Sequence, residues 1–112
     1  MHTTFEALGS DTVVIWVHGD LDAFSAPDLK QQLFAALDNG FRRVVLEMSA
    51  CGFVDSTGLG VLVSGLKRAG GRDVVMAAPS PEVRRVLEIV GLDRVLPLCT
   101  SRAEALRQSP SA

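Results

Sequence analysis

Three short apolar runs, each followed by a stretch with helical spacing, constrain this chain more than any other feature. TVVIWVHG, Thr12 to Gly19, is nearly all apolar and β-rich, as expected of a strand covered on both faces. Arg43 to Met48 and Arg72 to Ala78 are runs of the same kind. After each run the period changes. Leu29, Leu33 and Leu37, widened by Phe34 and Ala26, mark the buried line of a first helix. Ser25 is its expected cap, with Asp28 reaching back to it, Pro27 tolerated in the first turn and Gly40 ending the helix after Asn39. On a second helix, from Ser56 to the Gly70–Gly71 pair, Leu59, Leu62, Val63 and Leu66 recur at i, i+3, i+4 and i+7. Ser80 and Pro81 open a third as cap and first residue. Its buried stripe is Val83, Val86, Leu87 and Val90, and Gly91 stops it.

Shorter pieces flank this core. His2 falls in a fraying terminus, Thr3 to Leu8 reads as an edge strand, and Gly9 to Asp11 make a turn. Arg94 to Leu98 reads as a short last strand, and Ser101 caps a small helix over Arg102 to Leu106. Residues 108–112 are expected to fray. The order is β-β-α-β-α-β-α-β-α, which implies βαβ units in a single α/β domain over residues 1–112. Right-handed crossovers place successive helices on the same side of the sheet unless the strand order reverses.

Composition narrows the function classes. A chain of 112 residues suits one domain with one core. Its net charge of -2 provides no general attraction to nucleic acid or anionic membrane. No segment approaches the length of a membrane span, and the N-terminus lacks a basic stretch followed by an apolar signal core. Cys51 and Cys99 form no CxxC, so two reduced thiols in a cytoplasmic protein are expected.

Polarity concentrates at two junctions that follow strands. One is GDLDAFSAPDL, Gly19 to Leu29, where Asp20 and Asp22 are either turn formers or functional carboxylates. The other is FVDSTGLG, Phe53 to Gly60, where Asp55 can cap a helix whose first residues are Ser56 and Thr57. Phe53 and Val54 are expected to anchor that loop. Open α/β sheets carry functional loops at the carboxyl ends of their strands, so both junctions are expected on one rim. Gly58, Gly60 and Gly65 weaken the second helix by somewhat under 1 kcal/mol each, which calls for tight packing on the sheet or a close partner.

Several chemistries fail at this rim. GFVDS is not GxSxG, and a serine nucleophile would depend on His18 as its base. GLG matches neither phosphate-binding glycine pattern. Asp20, Asp22 and Asp55 are too few to hold Mg²⁺ without a substrate phosphate, and His2 and His18 are too separated for zinc. No catalytic residue, metal or cofactor is expected. What remains is Ser56 as a substrate: phosphate there adds about two negative charges at an exposed helix start.

The segments GDLDAFSAPDL, RRVVLEMSACGFVDSTGLGVLVSGLKRA and SPEVRRVLEIVGLDRVLPL resemble the STAS-domain anti-sigma factor antagonists of bacteria. DSTGLGVL is the most specific match. The resemblance implies a STAS-type domain, a mixed sheet with helices packed mainly on one face. It implies phosphorylation at Ser56, with Thr57 the weaker candidate, by an anti-sigma factor with GHKL-type serine kinase activity. It also implies a PP2C-type phosphatase as a further partner. On the same resemblance, the unphosphorylated form is expected to bind the anti-sigma factor and release sigma factor. The implied docking rim takes in Asp20, Asp22, Asp55, Ser56 and Thr57, and Gly58, Val61 and Gly65 are candidates for the partner-facing side of the second helix. The alternative within the same resemblance is a non-enzymatic module of another regulatory or lipid-transport complex, without phosphorylation control. Glu47-Met48 replaces the family's frequent Asp-Leu, and the connection after the second helix is short.

Overall fold

The computed structural model describes residues 2–107. Its elements are β1 (His2–Leu8), β2 (Thr12–His18), α1 (Ala26–Asp38), β3 (Arg43–Glu47), α2 (Ser56–Ala69), β4 (Asp73–Ala77), α3 (Pro81–Ile89), β5 (Leu98–Cys99) and α4 (Arg102–Arg107), with a 3-10 turn over Leu92–Arg94. The strands lie side by side in chain order. β1 is antiparallel to β2 and every other pair is parallel, so the sheet is mixed.

Strand register sorts the core into two layers. Val13, Ile15 and Val17 align with Val44 and Leu46, and these with Val74 and Met76, on the face that α1, α2 and α3 cover. Val14, Val45, Val75, Ala77 and Cys99 form the opposite layer, closed over by Ala105 of α4. Both faces are therefore buried, which is why these strands read as continuous apolar runs. Arg43 ties α4 down: its Nη1 donates to the Ala105 carbonyl at 3.2 Å while Nη2 lies 3.5 Å from Asp73.

The caps follow local chemistry. Ser80 Oγ accepts from Val83 N at 3.2 Å, and Ser101 Oγ from Glu104 N at 3.1 Å. Gly70 takes the left-handed conformation, φ +59, that ends α2. Four local expectations change. His2 belongs to β1 and is not a frayed end. The run from Arg94 does not extend as a strand. Gly91 at φ +79 turns the chain into the 3-10 turn instead, and β5 is only Leu98–Cys99. Val90 is 53% exposed rather than part of the α3 stripe. Ser25 makes no side-chain cap to α1, and Asp28 Oδ2 accepts from Thr3 N and Oγ1 of the edge strand. The expected tail over 108–112 lies outside the described residues.

Candidate functional site

The two polar junctions are joined backbone to backbone. β2 is followed by Gly19, whose φ of +102 favours glycine, and the Gly19 N–H donates to Ala50 O at 2.9 Å. Leu21 N donates to Phe53 O at 2.8 Å, and Asp55 N donates to Leu21 O at 3.0 Å, making a parallel bridge between Leu21 and Val54. Leu21, Val54 and Cys51 are buried beneath it. The expected convergence on one rim is thus physical: a miniature extension of the β2–β3 pair holds Asp20 and Asp22 beside Asp55, Ser56 and Thr57.

Each carboxylate has a different task. Asp22 Oδ1 accepts from Phe24 N at 3.0 Å and Ser25 N at 3.1 Å, and the Asp22 carbonyl accepts from Ala26 N at 2.8 Å. Asp22 therefore caps the turn that leads into α1, and Ser25, the residue before the helix, makes no side-chain cap. The buried Ser25 hydroxyl braces that turn, donating to Asp20 O at 2.8 Å and accepting from Asp22 N at 2.8 Å. Asp55 caps α2, its Oδ1 accepting from Gly58 N at 2.9 Å. Asp20 is exposed, and beside Asp22, Phe24 and Ser25 it lines an open depression of about 290 Å³.

Ser56 and Thr57 are both exposed in the first turn of α2. Their N–H groups precede any intrahelical acceptor, so the hydroxyls stand at the positive end of the helix. The sequence missed Phe24, 95% exposed, and Phe53, 51% exposed. Aromatic residues embedded in polar turns were the available signal. Val54 anchors the loop as expected; Phe53 does not.

The partner-facing side of α2 needs correction. Gly58, Val61 and Gly65 point into the core together with Leu62 and Ala69. A Cβ on Gly58 would lie 2.7 Å from Leu21 Cγ, and one on Gly65 would lie 2.3 Å from Leu33 Cδ2. Both glycines exist to let α2 approach the Asp20–Asp22 turn and α1. The outward stripe is Ser56, Gly60, Val63 and Lys67, with Thr57 and Arg68 beside it. At about 100° per residue, those four positions share one line.

His18 belongs to the β1–β2 pair: its Nε2 lies 3.1 Å from Thr4 Oγ1 and its ring stacks along Trp16 at 6.4 Å. Burial raises the pKa of both cysteine thiols, and Cys51 Sγ donates to Phe53 O at 3.3 Å. Among the described residues no cluster of three or more His, Cys, Asp or Glu is placed to hold a metal ion. No helix among them is long and apolar enough to cross a membrane.

A family model described as the STAS domain matches residues 5–105. BtrV of Bordetella bronchiseptica, provisionally described as an anti-sigma factor antagonist, is 33% identical over 95 residues, 83% of this chain and 82% of BtrV. The crystal structure of an anti-sigma factor antagonist from Mycobacterium paratuberculosis superposes with a TM-score of 0.85 at 30% identity, covering 93% of this chain and 89% of that one. SpoIIAA in its unphosphorylated form has the same fold, with a TM-score of 0.80 at 23% identity over 93% of this chain and 92% of that one. A structure of Bacillus SpoIIAA in the phosphorylated form reaches 0.73 at the same identity, over 93% of this chain and 96% of that one.

Proposed function

Because this chain belongs to the STAS-domain family of anti-sigma factor antagonists, we propose that it binds an anti-sigma factor through the Asp20–Asp22/Asp55–Thr57 rim and is switched off by phosphorylation of Ser56. STAS domains are regulatory binding domains and not catalysts, so Ser56 is the acceptor of a group that a partner transfers. The partner is an anti-sigma factor with GHKL-type serine kinase activity. A PP2C-type phosphatase reverses the modification, and the setting is the cytoplasm.

The observation that carries this reading is the exposed Ser56 at the first residue of α2, with Asp55 capping the helix and the Asp20–Asp22 turn bonded alongside. A phosphate there meets free N–H groups and the helix dipole, so the fold tolerates it. Its effect falls on the interface: two added charges beside Asp55, Asp20 and Asp22 raise the desolvation cost and repel any carboxylate or nucleotide phosphate of the partner. Gly60 supports the same face. It is exposed, and a Cβ there would meet nothing within 4 Å. No internal packing explains its cost to the helix, whereas a partner backbone approaching closely does.

The test is incubation with the host's GHKL-type anti-sigma factors and ATP, followed by site mapping by mass spectrometry. Ser56 gains phosphate, and Ser56→Ala abolishes the modification while retaining binding. Modification of Ser56→Ala at Thr57 would assign the switch to the other hydroxyl. Binding to none of these kinases would leave a module of another complex, lipid transport included.

A further inference from the structure

The apolar stripe that the sequence places on α2 is only partly used by the fold. Leu62 is buried, but Leu59 and Leu66 are half-buried and Val63 is 36% exposed. The helix is turned so that its small residues face the core, and Val63 and Leu66 are left on a flank. They line an open groove of about 440 Å³ with Lys67, Gly71, Arg72, Leu92 and Val95. Val95 is 63% exposed. This is a second concentration of uncovered apolar side chains, separate from the Phe24 and Phe53 rim.

The charge of the groove is one-sided. Every lining side chain is apolar or cationic, and no carboxylate lines it. Arg72 is fixed by backbone carbonyls alone: Nε donates to Ala69 O at 2.8 Å, Nη2 to Arg68 O at 3.1 Å and Nη1 to Leu37 O. Those carbonyls end α1 and α2 and orient the guanidinium; Asp38, the carboxylate that feels the Arg72 charge, is hydrogen-bonded to Arg68 and does not line the groove. Lys67 stands exposed on the α2 side. Apolar walls under fixed positive charge suit an occupant with an apolar stripe flanked by carboxylates.

We propose that the groove between the C-terminal half of α2 and the 3-10 turn docks an acidic amphipathic helix of a partner protein. Leucine-sized side chains fill the space between Val63, Leu66, Leu92 and Val95, and flanking Glu or Asp residues pair with Lys67 and Arg72. The proposal does not depend on the Ser56 switch: the groove begins at Val63, about 10 Å along α2 from Ser56, and takes only the C-terminal part of the outward stripe, while Ser56 and Gly60 do not line it.

The probe is a synthetic peptide with leucines at i, i+3, i+4 and i+7 flanked by glutamates, titrated into the full chain and followed by amide NMR shifts. Val63, Leu66, Lys67, Gly71 and Val95 are expected to shift, and Ser56 to Gly58 to stay in place. A copy with lysine for every glutamate binds at least about tenfold more weakly, as does the glutamate peptide to Lys67→Glu or Val95→Asp. Both substituted residues are exposed, and thermal melts confirm that the variants fold. Ser56→Asp leaves peptide affinity unchanged, which separates this result from the outcome of the kinase experiment. Equal binding of the two peptides, or shifts centred elsewhere, overturns the proposal. Concentration-dependent shifts at the same amides without peptide assign the groove to a second copy of the chain and also overturn it. So do shifts with monomeric sodium oleate when the glutamate peptide produces none, which assign it to a lipid.

Discussion

Replacing Gly58 by alanine tests the way α2 is seated. In an exposed helix position the change favours folding by about 1 kcal/mol. Here the new Cβ would stand 2.7 Å from Leu21 Cγ and 2.9 Å from Leu21 O. The first is a side chain with no exposed surface, and the second is backbone that already accepts the Asp55 N–H at 3.0 Å. Neither can yield without opening the bridge between the two junctions. Overpacking of this kind costs about 1–3 kcal/mol, and a backbone contact puts it in the upper half of that range. The expected net loss is about 1–2 kcal/mol, or a fall in Tm of roughly 5–10 °C for a domain near this size. Gly60→Ala is the matched control. Its Cβ meets nothing within 4 Å, so stability should rise by about 0.5–1 kcal/mol. Urea and thermal unfolding of both variants measure the difference. Equal stabilisation by the two substitutions would refute the inward assignment of Gly58.

Other consequences follow from the same geometry. Asp55→Ala removes the acceptor for Gly58 N and should lower stability by about 1 kcal/mol in urea titrations, with a larger effect on Ser56 phosphorylation rate than on the melt. Gly60→Leu should not lower the melting temperature, since the site is open and leucine favours the helix over glycine, yet it should weaken anti-sigma factor binding in calorimetry. Burial raises both cysteine pKa values, so ionisation favours the unfolded chain. Stability should be full below the ordinary thiol pKa and decline as pH rises past it, and native thiol labelling should be far slower than labelling in denaturant.

Much of the fold was legible because each strand and each cap carries its own chemistry. Val13 to Val17, Val44 to Leu46 and Val74 to Ala77 read as strands because both faces of the sheet are covered. Asp55 and Ser80 read as caps because a short oxygen-bearing side chain precedes helical spacing. The phase of α2 was not legible. Apolar spacing points to Leu59, Leu62, Val63 and Leu66, of which only Leu62 is buried; the buried face is Gly58, Val61, Leu62, Gly65 and Ala69, centred roughly a quarter turn away. Small residues face inward there because Leu21 and Leu33 fill the space from the other side, and hydrophobicity counted along one helix contains no information about that neighbour. The rim was legible as two polar junctions after strands. The exchange of roles between Ser25 and Asp22 was not, because both types cap helices and only the turn geometry decides which oxygen faces the free N–H groups.

The central claim is that charge on Ser56 governs partner binding. Calorimetric titration of the cognate anti-sigma factor with unmodified and stoichiometrically Ser56-phosphorylated protein, both shown to be folded, tests it most directly. The account predicts that the phosphorylated form binds at least about a hundredfold more weakly, since unfavourable charge placed in an interface costs several kcal/mol. Equal affinity of the two forms would contradict it.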